Sequence, residues 1–374
     1  MKIKGEAGAK KCQTNNQSRA NVGKLPYTMP TRYENPTKGG EFLPTLEEIV
    51  ATAKPEGVPK EAAWIWGPDD EIGRLNLLTP EHVQSVVAAE ARHGLVCSLN
   101  WDVTLPRRPG FGRPACEVRI KTLPGLLVND EILHMNTQSG SQIDGFRHVA
   151  HQTSGFFYNN LRQEEIVGGG GGGGQAGSGE PSTRCGMQAC SRRGIVGRGV
   201  LLDFARWCDE VGGGMECDPF ETRGISLDQL LAVAAWEGVE FQRGDILLIR
   251  SGWMRKYNDC LAAGLEDELA KVADEHPTSI GVDPSDEMKA WLHDQYFAVV
   301  GGDQPGFEEW PPRSKPILHE YLLPCWGVMI GEMLDLEHLS ETCKQTGKYS
   351  FLFMSAPMNL PGGVASLANA LCII

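Results

Sequence analysis

The 374-residue chain has no long apolar run and no excess of basic charge. No segment approaches the roughly 20 consecutive apolar residues of a membrane-spanning helix, and the basic N-terminal segment lacks the apolar core of a secretory signal. The 48 acidic residues outnumber the 35 basic ones, for a formal charge of −13. Such a balance disfavours nucleic acid or an anionic membrane surface as the main partner. We therefore expect a cytoplasmic protein that acts on a small molecule, with neither nucleic acid nor membrane as a partner.

Several common catalytic and binding motifs are also missing. The eleven cysteines are scattered, and the one close pair, Cys185 and Cys190, has no second pair nearby to complete a zinc ribbon. The glycine run 168–174 is followed by Gln175 and Ala176, not by the lysine and hydroxyl residue of a phosphate-binding loop. No serine lies in a Gly-x-Ser-x-Gly elbow. We interpret the cysteines as reduced thiols and residues 167–182 as a flexible Gly-rich insertion.

Helix and strand signals alternate along the second half of the chain, which indicates an α/β architecture with a mixed sheet. Helix starts are predicted from capping patterns at Thr45–Glu48, Thr79-Pro80 and Ser226–Gln229. Short β-branched runs predict strands at 197–205, 244–253, 278–283 and 296–303. Residues 1–40 are polar and predict a poorly ordered arm, so residues 41–374 are expected to form one domain.

One stretch concentrates polar chemistry between apolar segments: residues 134–152, HMNTQSGSQIDGFRHVAHQ. Its core has the spacing Gln138-x3-Gln142-x-Asp144-x3-His148. Glycines at 140 and 145 allow sharp bends in the backbone. The alternation of side chains along a strand would place Gln142 and Asp144 on the same side.

This spacing resembles the signature of the cyclase-like metal-dependent hydrolases, the family of bacterial kynurenine formamidase and isatin hydrolase, whose pattern is His-x-Gly-Thr-His-x-Asp-x-Pro-x-His. The glycine, the aspartate and the last histidine are kept as Gly140, Asp144 and His148. Both metal-binding histidines are replaced, by Gln138 and Gln142. A longer fungal or actinobacterial-type branch with glutamine at these positions is most similar.

Other segments resemble the same family, in the same order. Residues 66–81 (WGPDDEIGRLNLLTPE) resemble the segment that precedes the motif, and 332–339 with 351–374 resemble its closing strand and glycine turn. A later His and Glu complete the family's site, and His319 and Glu332 match them. The resemblance implies the swivelling β/β/α fold, a mixed sheet flanked by helices in a single domain. It also implies a homo-oligomer, a dimer or tetramer with sites near subunit contacts.

In the family, the two motif histidines and the aspartate hold zinc or manganese, and the last histidine moves protons. Two alternatives follow from the glutamines. A metal can persist on Asp144, His319 and Glu332 with help from an amide oxygen, a set that suits Mn or Mg better than Zn. Alternatively no metal is tightly bound, which the loss of both imidazoles favours. His148, Asp144 and Glu332 would then perform general acid/base chemistry.

The resemblance thus implies catalytic roles for His148, Asp144, His319 and Glu332. Substrate binding is assigned to the side chains near them, namely Gln138, Gln142, Arg147 and His151. The expected function is a hydrolase of secondary metabolism that acts on an amide, lactone or related carbonyl of a small cyclic or aromatic metabolite. A metal-free cyclase, isomerase or lyase is the alternative, and a non-catalytic ligand-binding relative is a third.

Overall fold

A computed structural model describes residues 32–168, 181–212, 218–273 and 276–374. Its α-helices are α1 Leu46–Ala51, α2 Pro80–Glu90, α3 Gln163–Val167, α4 Met187–Arg193, α5 Phe204–Glu210, α6 Leu227–Glu237, α7 Trp253–Ala263, α8 Glu266–Lys271, α9 Asp286–Asp294, α10 His319–Leu322 and α11 Glu337–Thr346. The strands are β1 Val96–Ser98, β2 Glu117–Thr122, β3 Asn129–His134, β4 Gln142–Asp144, β5 Ile195–Leu202, β6 Arg223–Ile225, β7 Ile246–Ile249, β8 Ile280–Val282, β9 Val299–Gly302, β10 Met329–Glu332, β11 Ser350–Ser355, β12 Ala365–Leu367 and β13 Ala370–Ile373. Two 3₁₀ helices lie at Gly73–Leu77 and Tyr158–Asn160.

The capping patterns begin helices where the sequence predicts them. Thr45 and Ser226 form capping boxes at α1 and α6, and the Thr79 hydroxyl accepts from the third residue of α2. Gly238 ends α6 in the left-handed conformation that glycine adopts readily. Helix α2 ends at Glu90.

Nine strands form one mixed sheet in the order β1-β13-β11-β5-β7-β9-β10-β4-β12. The central run β5-β7-β9-β10 is parallel, whereas β4 is antiparallel to both β10 and β12. The parallel strands are buried almost throughout, as expected when both faces of a sheet are covered. Helices α2 and α6 pack on β5, the latter through Leu230, Val233 and Ala234. The chain is thus a single mixed α/β domain with helices flanking its sheet, as predicted.

The predicted strands are present but shorter than expected. The segment predicted at 197–205 ends as strand at Leu202, because Asp203 accepts a hydrogen bond from the Arg206 amide and begins α5. The segment predicted at 244–253 ends at Ile249, and Trp253 already begins α7. In both cases a polar or glycine residue after the buried run begins a helix.

Two small sheets lie outside the large one. Strands β6 and β8 pair in parallel, and β2 and β3 form an antiparallel hairpin whose residues are all exposed. The hairpin leads directly into the motif segment, since β3 ends at His134.

A close backbone contact joins the segment 66–81 to the sheet region. Gly73, at φ +53°, lies so close to Gly327 that an added Cβ would be 2.2 Å from the Gly327 carbonyl oxygen. The Arg74 amide donates to the same oxygen at 2.8 Å. Only a residue without a side chain fits at position 73.

Parts of the predicted N-terminal arm and of the Gly-rich insertion lie outside the described residues. Residues 1–31 of the predicted arm are among these, whereas 32–40 are described, and Glu34 forms an isolated bridge with Phe42. Of the Gly-rich insertion, 169–180 lie outside, and α3 runs up to its first residue. Across the described ranges, no helix has the length and apolarity to cross a membrane.

Candidate active site

The site is organised on strand β4. Gln142 and Asp144 are two residues apart on a strand, so their side chains lie on the same face, as predicted from the alternation. Antiparallel pairing places Glu332 of β10 directly opposite Gln142. All three side chains are buried. The backbone pairing therefore fixes an amide and two carboxylates next to one another.

Tight turns on either side of β4 bring the remaining motif residues to this face. The Gly145 amide donates to the Val364 carbonyl, and the His148 amide donates to the Gly145 carbonyl. A Cβ at Gly145 would be 2.9 Å from the Val364 oxygen, so the bend requires glycine. Before the strand, Gln138 lies in a turn in which its backbone amide donates to Asn136 Oδ1 at 2.8 Å.

The side chains of Gln138 and His148 meet at the edge of the site. Gln138 Nε2 lies 2.7 Å from His148 Nδ1, and His148 Nε2 lies 3.7 Å from Asp144 Oδ2. Burial lowers the pKa of His148, with Asp144 opposing that shift, so the ring is neutral near pH 7. When Gln138 donates to Nδ1, the proton of the neutral ring is on Nε2, on the Asp144 side.

His319 lies between two carboxylates. Its Nδ1 is 2.7 Å from Glu308 Oε2 and its Nε2 is 3.1 Å from Glu332 Oε1. Burial disfavours the charged imidazole, but the Glu308 carboxylate and the hydrogen bonds to Glu308 and Glu332 outweigh it and raise the pKa of His319 well above its usual value. Burial raises the pKa of Glu332, with further contributions from Asp144 against the opposing effect of His319.

The Gln142 carboxamide connects the two carboxylates of the sheet. Its Nε2 donates to Glu332 Oε2 at 2.9 Å and approaches both oxygens of Asp144 at 3.1 and 3.2 Å. Its Oε1 is buried and has no hydrogen-bond partner among the described residues. A buried amide oxygen without a partner is costly, so this atom is available to a ligand.

The donor set is compatible with a divalent cation. One ligand atom each from Asp144, His148 and His319 lie within 4.8 Å of one another. Glu308 holds His319 Nδ1 and so orients the imidazole, while Nε2, which pairs with Glu332 here, is the nitrogen that would bind an ion. The unpartnered Gln142 Oε1 adds a possible fourth donor. The residues present therefore fit a metal, and the set includes His148 where the sequence had suggested Glu332.

Two predicted substrate-binding residues lie apart from this cluster. The Arg147 guanidinium donates to the carbonyls of Ser182 and Ile166, and His151 Nδ1 pairs with the Ser154 hydroxyl at 3.0 Å. The predicted roles of both residues in substrate binding gain no support from these positions.

Sequence reasoning missed two residues near the cluster. Glu308 is fully buried against His319, and its position a few residues after β9 is the only signal for it, because parallel α/β sheets collect functional groups at the carboxyl ends of their strands. Arg113, in the segment between β1 and β2, donates to the Gln138 carbonyl at 2.5 Å. Nothing in the local sequence of Arg113 indicates that contact.

Comparisons with known proteins agree with this architecture. The model of the Cyclase family, described as "Putative cyclase", matches residues 79–309, more than half of the chain. A solved structure described as a novel cyclase is similar at a TM-score of 0.68 and 26% identity, over 83% of this chain and 98% of that one. Isatin hydrolase A from Ralstonia solanacearum has the same fold at a TM-score of 0.50 and 14% identity, over 79% and 97% of the two chains.

An isatin hydrolase bound to the product analogue thioisatinate is similar to the same degree, with a TM-score of 0.50 and 16% identity over 79% of this chain and 99% of that one. No curated protein matches the chain. The family model, the fold and the kept motif residues agree, and the chain belongs to the cyclase family.

Proposed function

We propose that this protein is a hydrolase that adds water to the carbonyl carbon of an amide, a lactone or a related group in a small cyclic or aromatic molecule. The C–N or C–O bond to the leaving group breaks, the water oxygen joins the carbonyl carbon, and a proton moves to the leaving atom. The observation that supports this most is the convergence of Asp144, His148 and His319 beside the buried Glu332. The similarity to isatin hydrolases adds a cyclic amide as a candidate substrate.

Asp144, His148 and His319 would hold the divalent cation in this proposal. Two imidazoles and a carboxylate suit zinc or manganese. When bound, such an ion polarises a carbonyl and lowers the pKa of water. His319 would bind the ion through Nε2, which pairs with Glu332 here, and Glu308 would keep Nδ1 in place.

Glu332 is then the group that accepts and returns the proton. Its Oε1 is positioned by the Phe307 amide at 3.0 Å, and its carboxylate is nearly inaccessible to solvent. Burial raises the pKa of Glu332, which brings its proton affinity closer to that needed for general base catalysis near neutral pH. Gln138 determines which ring nitrogen of His148 carries the proton. Its side-chain carboxamide can donate to Nδ1 through Nε2 or accept from Nδ1 through Oε1.

A second candidate is a metal-free cyclase, isomerase or lyase that uses the same residues only for proton transfer. The Gln142 carboxamide favours it, because its Nε2 already donates to Asp144 and Glu332 and so lies between the two carboxylates. His148 and Glu332 would then exchange protons with the substrate. A ligand-binding protein without turnover is the remaining alternative.

Metal analysis and hydrolysis assays on the purified protein separate these functions. We expect stoichiometric zinc or manganese, and carboxylate formation from at least one of isatin, phthalide and formanilide. Asp144→Asn should lose the metal and reduce the rate by at least ~100-fold, as expected when metal-assisted hydrolysis is removed. His134→Ala is the matched control for His148→Ala, because His134 is an exposed histidine of β3 outside the cluster.

The possible results point to different functions. A metal-free protein that hydrolyses these compounds at the same rate after chelation contradicts the cation. A metal-free protein that isomerises or eliminates but does not hydrolyse supports the second candidate. A folded protein that binds ligands but turns over no substrate, either as wild type or as His148→Ala, supports the ligand-binding alternative.

A further inference from the structure

The segment between β1 and β2 covers one side of the active site and carries a positive charge into it. Arg113 is part-buried, and its Nη1 donates to the carbonyl oxygen of Gln138 at 2.5 Å. Gln138 in turn contacts His148. The guanidinium carbon lies 5.1 Å from the centre of the Phe111 ring. Arg113 is therefore one residue removed from the catalytic cluster.

A small cavity lies at this point, with a volume of about 20 Å³. Its wall is largely apolar, and its lining includes Phe111, Arg113, Gln138, Trp253, Pro305 and Met333. A space of this size holds about one water molecule. The cavity therefore has room for about one polar atom beside the guanidinium and none for a ring.

Arg113 makes no ion pair with any carboxylate in the described ranges, and its other guanidinium N–H groups make no hydrogen bond there. Arg107, in the same segment, differs in that it lies 3.7 Å from Glu266. A guanidinium with free donors beside an apolar wall is suited to bidentate recognition of a carboxylate. Its positive charge also acts on the cluster, because Arg113 lowers the pKa of both His148 and Glu332, although burial is the larger effect on each.

We propose that Arg113 binds a carboxylate carried by the substrate, so that the enzyme selects anionic cyclic or aromatic molecules over neutral ones. One oxygen of the carboxylate occupies the cavity beside Gln138, and the rest of the molecule extends from it towards His148, whose side chain is 20% exposed. This carboxylate is distinct from the one that hydrolysis produces. The inference rests on the proposed function only in treating the cluster as the place where the substrate reacts.

Equilibrium binding of benzoate and its neutral analogue benzamide tests the proposal without any turnover. Titration calorimetry gives both affinities, and intrinsic tryptophan fluorescence is a second readout because Trp253 lines the cavity. We expect the wild type to bind benzoate at least ~10-fold more tightly than benzamide, since a charge-assisted pair is worth about one such factor. Arg113→Gln should abolish that preference and leave benzamide binding unchanged, which also shows that the variant is folded.

Arg108→Gln is the matched control, because Arg108 is an exposed arginine of the same segment and does not line the cavity. It should bind both compounds like the wild type. The proposal is overturned if the wild type binds neither compound at millimolar concentration, or binds both equally. It is also overturned if R113Q keeps the preference, or if R108Q loses it to the same extent, which would indicate only long-range attraction. Benzoate selectivity without hydrolysis of any ring would leave this inference standing and count against the proposed hydrolase alone.

Discussion

The Gln142 carboxamide is the site's main internal hydrogen-bond donor, and replacing it with leucine should have a large, pH-dependent cost. Gln142 is fully buried, and its Nε2 serves Glu332 at 2.9 Å and Asp144 at 3.1 Å. Hydrogen bonds to charged groups contribute about 1.5–3 kcal/mol each. Loss of two such interactions, partly offset by burial of the leucine side chain, predicts that Gln142→Leu lowers the free energy of unfolding by roughly 3–5 kcal/mol at pH 8.

The cost should shrink in acid. Burial already raises the pKa of Glu332 in the wild type, and removal of the donor raises it further. A carboxyl with a raised folded-state pKa stabilises the fold below its unfolded pKa, and this stability is lost as the pH rises through the folded pKa. The difference between Q142L and wild type should therefore be smaller at pH 5 than at pH 8.

Urea unfolding of metal-depleted protein at both pH values measures this difference. Gln138→Leu is the control, because Gln138 is part-buried and contacts His148 and no carboxylate side chain. We expect it to cost about 1 kcal/mol, with little change between pH 5 and 8. Equal stability of Q142L and wild type at pH 8, or a cost that does not vary with pH, would refute the assigned role of the carboxamide.

Three further perturbations test other parts of the structure. Gln138→His combined with Gln142→His restores two imidazoles and should raise zinc affinity in calorimetric titration; no gain would mean that these positions do not face the ion. Burial raises the pKa of Glu237 to about 9, so Glu237→Gln should become progressively more stable than wild type as the pH rises from 6 to 8, and parallel stability curves would contradict this. Gly73→Ala should lower stability by several kcal/mol in thermal or urea unfolding, because its Cβ meets the Gly327 carbonyl; a neutral effect would show that this contact relaxes.

Local signals in the sequence predicted local structure well. Capping at Thr45 and Ser226 depends on residues three positions apart, so the sequence contains all of it. The same holds for Gln142 and Asp144, since alternation on a strand requires no knowledge of the rest of the fold. Strand ends were less predictable, because Asp203 is compatible with both a strand end and a helix cap.

Contacts between distant segments were predictable only through the family resemblance, or not at all. His319 and Glu332 were identified by their match to the family's later residues, and the structure does bring them together at 3.1 Å. Glu308 was missed because it lies outside the named strands, in an isolated bridge to Val282, and nothing in the sequence says which residue its side chain faces. Arg147 was assigned to the site because it precedes His148 in the sequence. Its guanidinium donates to the carbonyls of Ser182 and Ile166, a contact that the sequence does not indicate.

The location of Gln142, Asp144 and Glu332 on paired strands has a consequence for how this site can change. Strand β4 is bonded to a neighbour on each side, so the Cα positions of Gln142 and Asp144 are set by main-chain hydrogen bonds that no side chain supplies. A codon change at position 142 therefore exchanges one donor atom for another at a fixed point, with the rest of the scaffold unmoved. Position 142 can therefore carry an imidazole or a carboxamide on the same backbone. Proteins of this fold can accordingly differ in reaction while they share every strand.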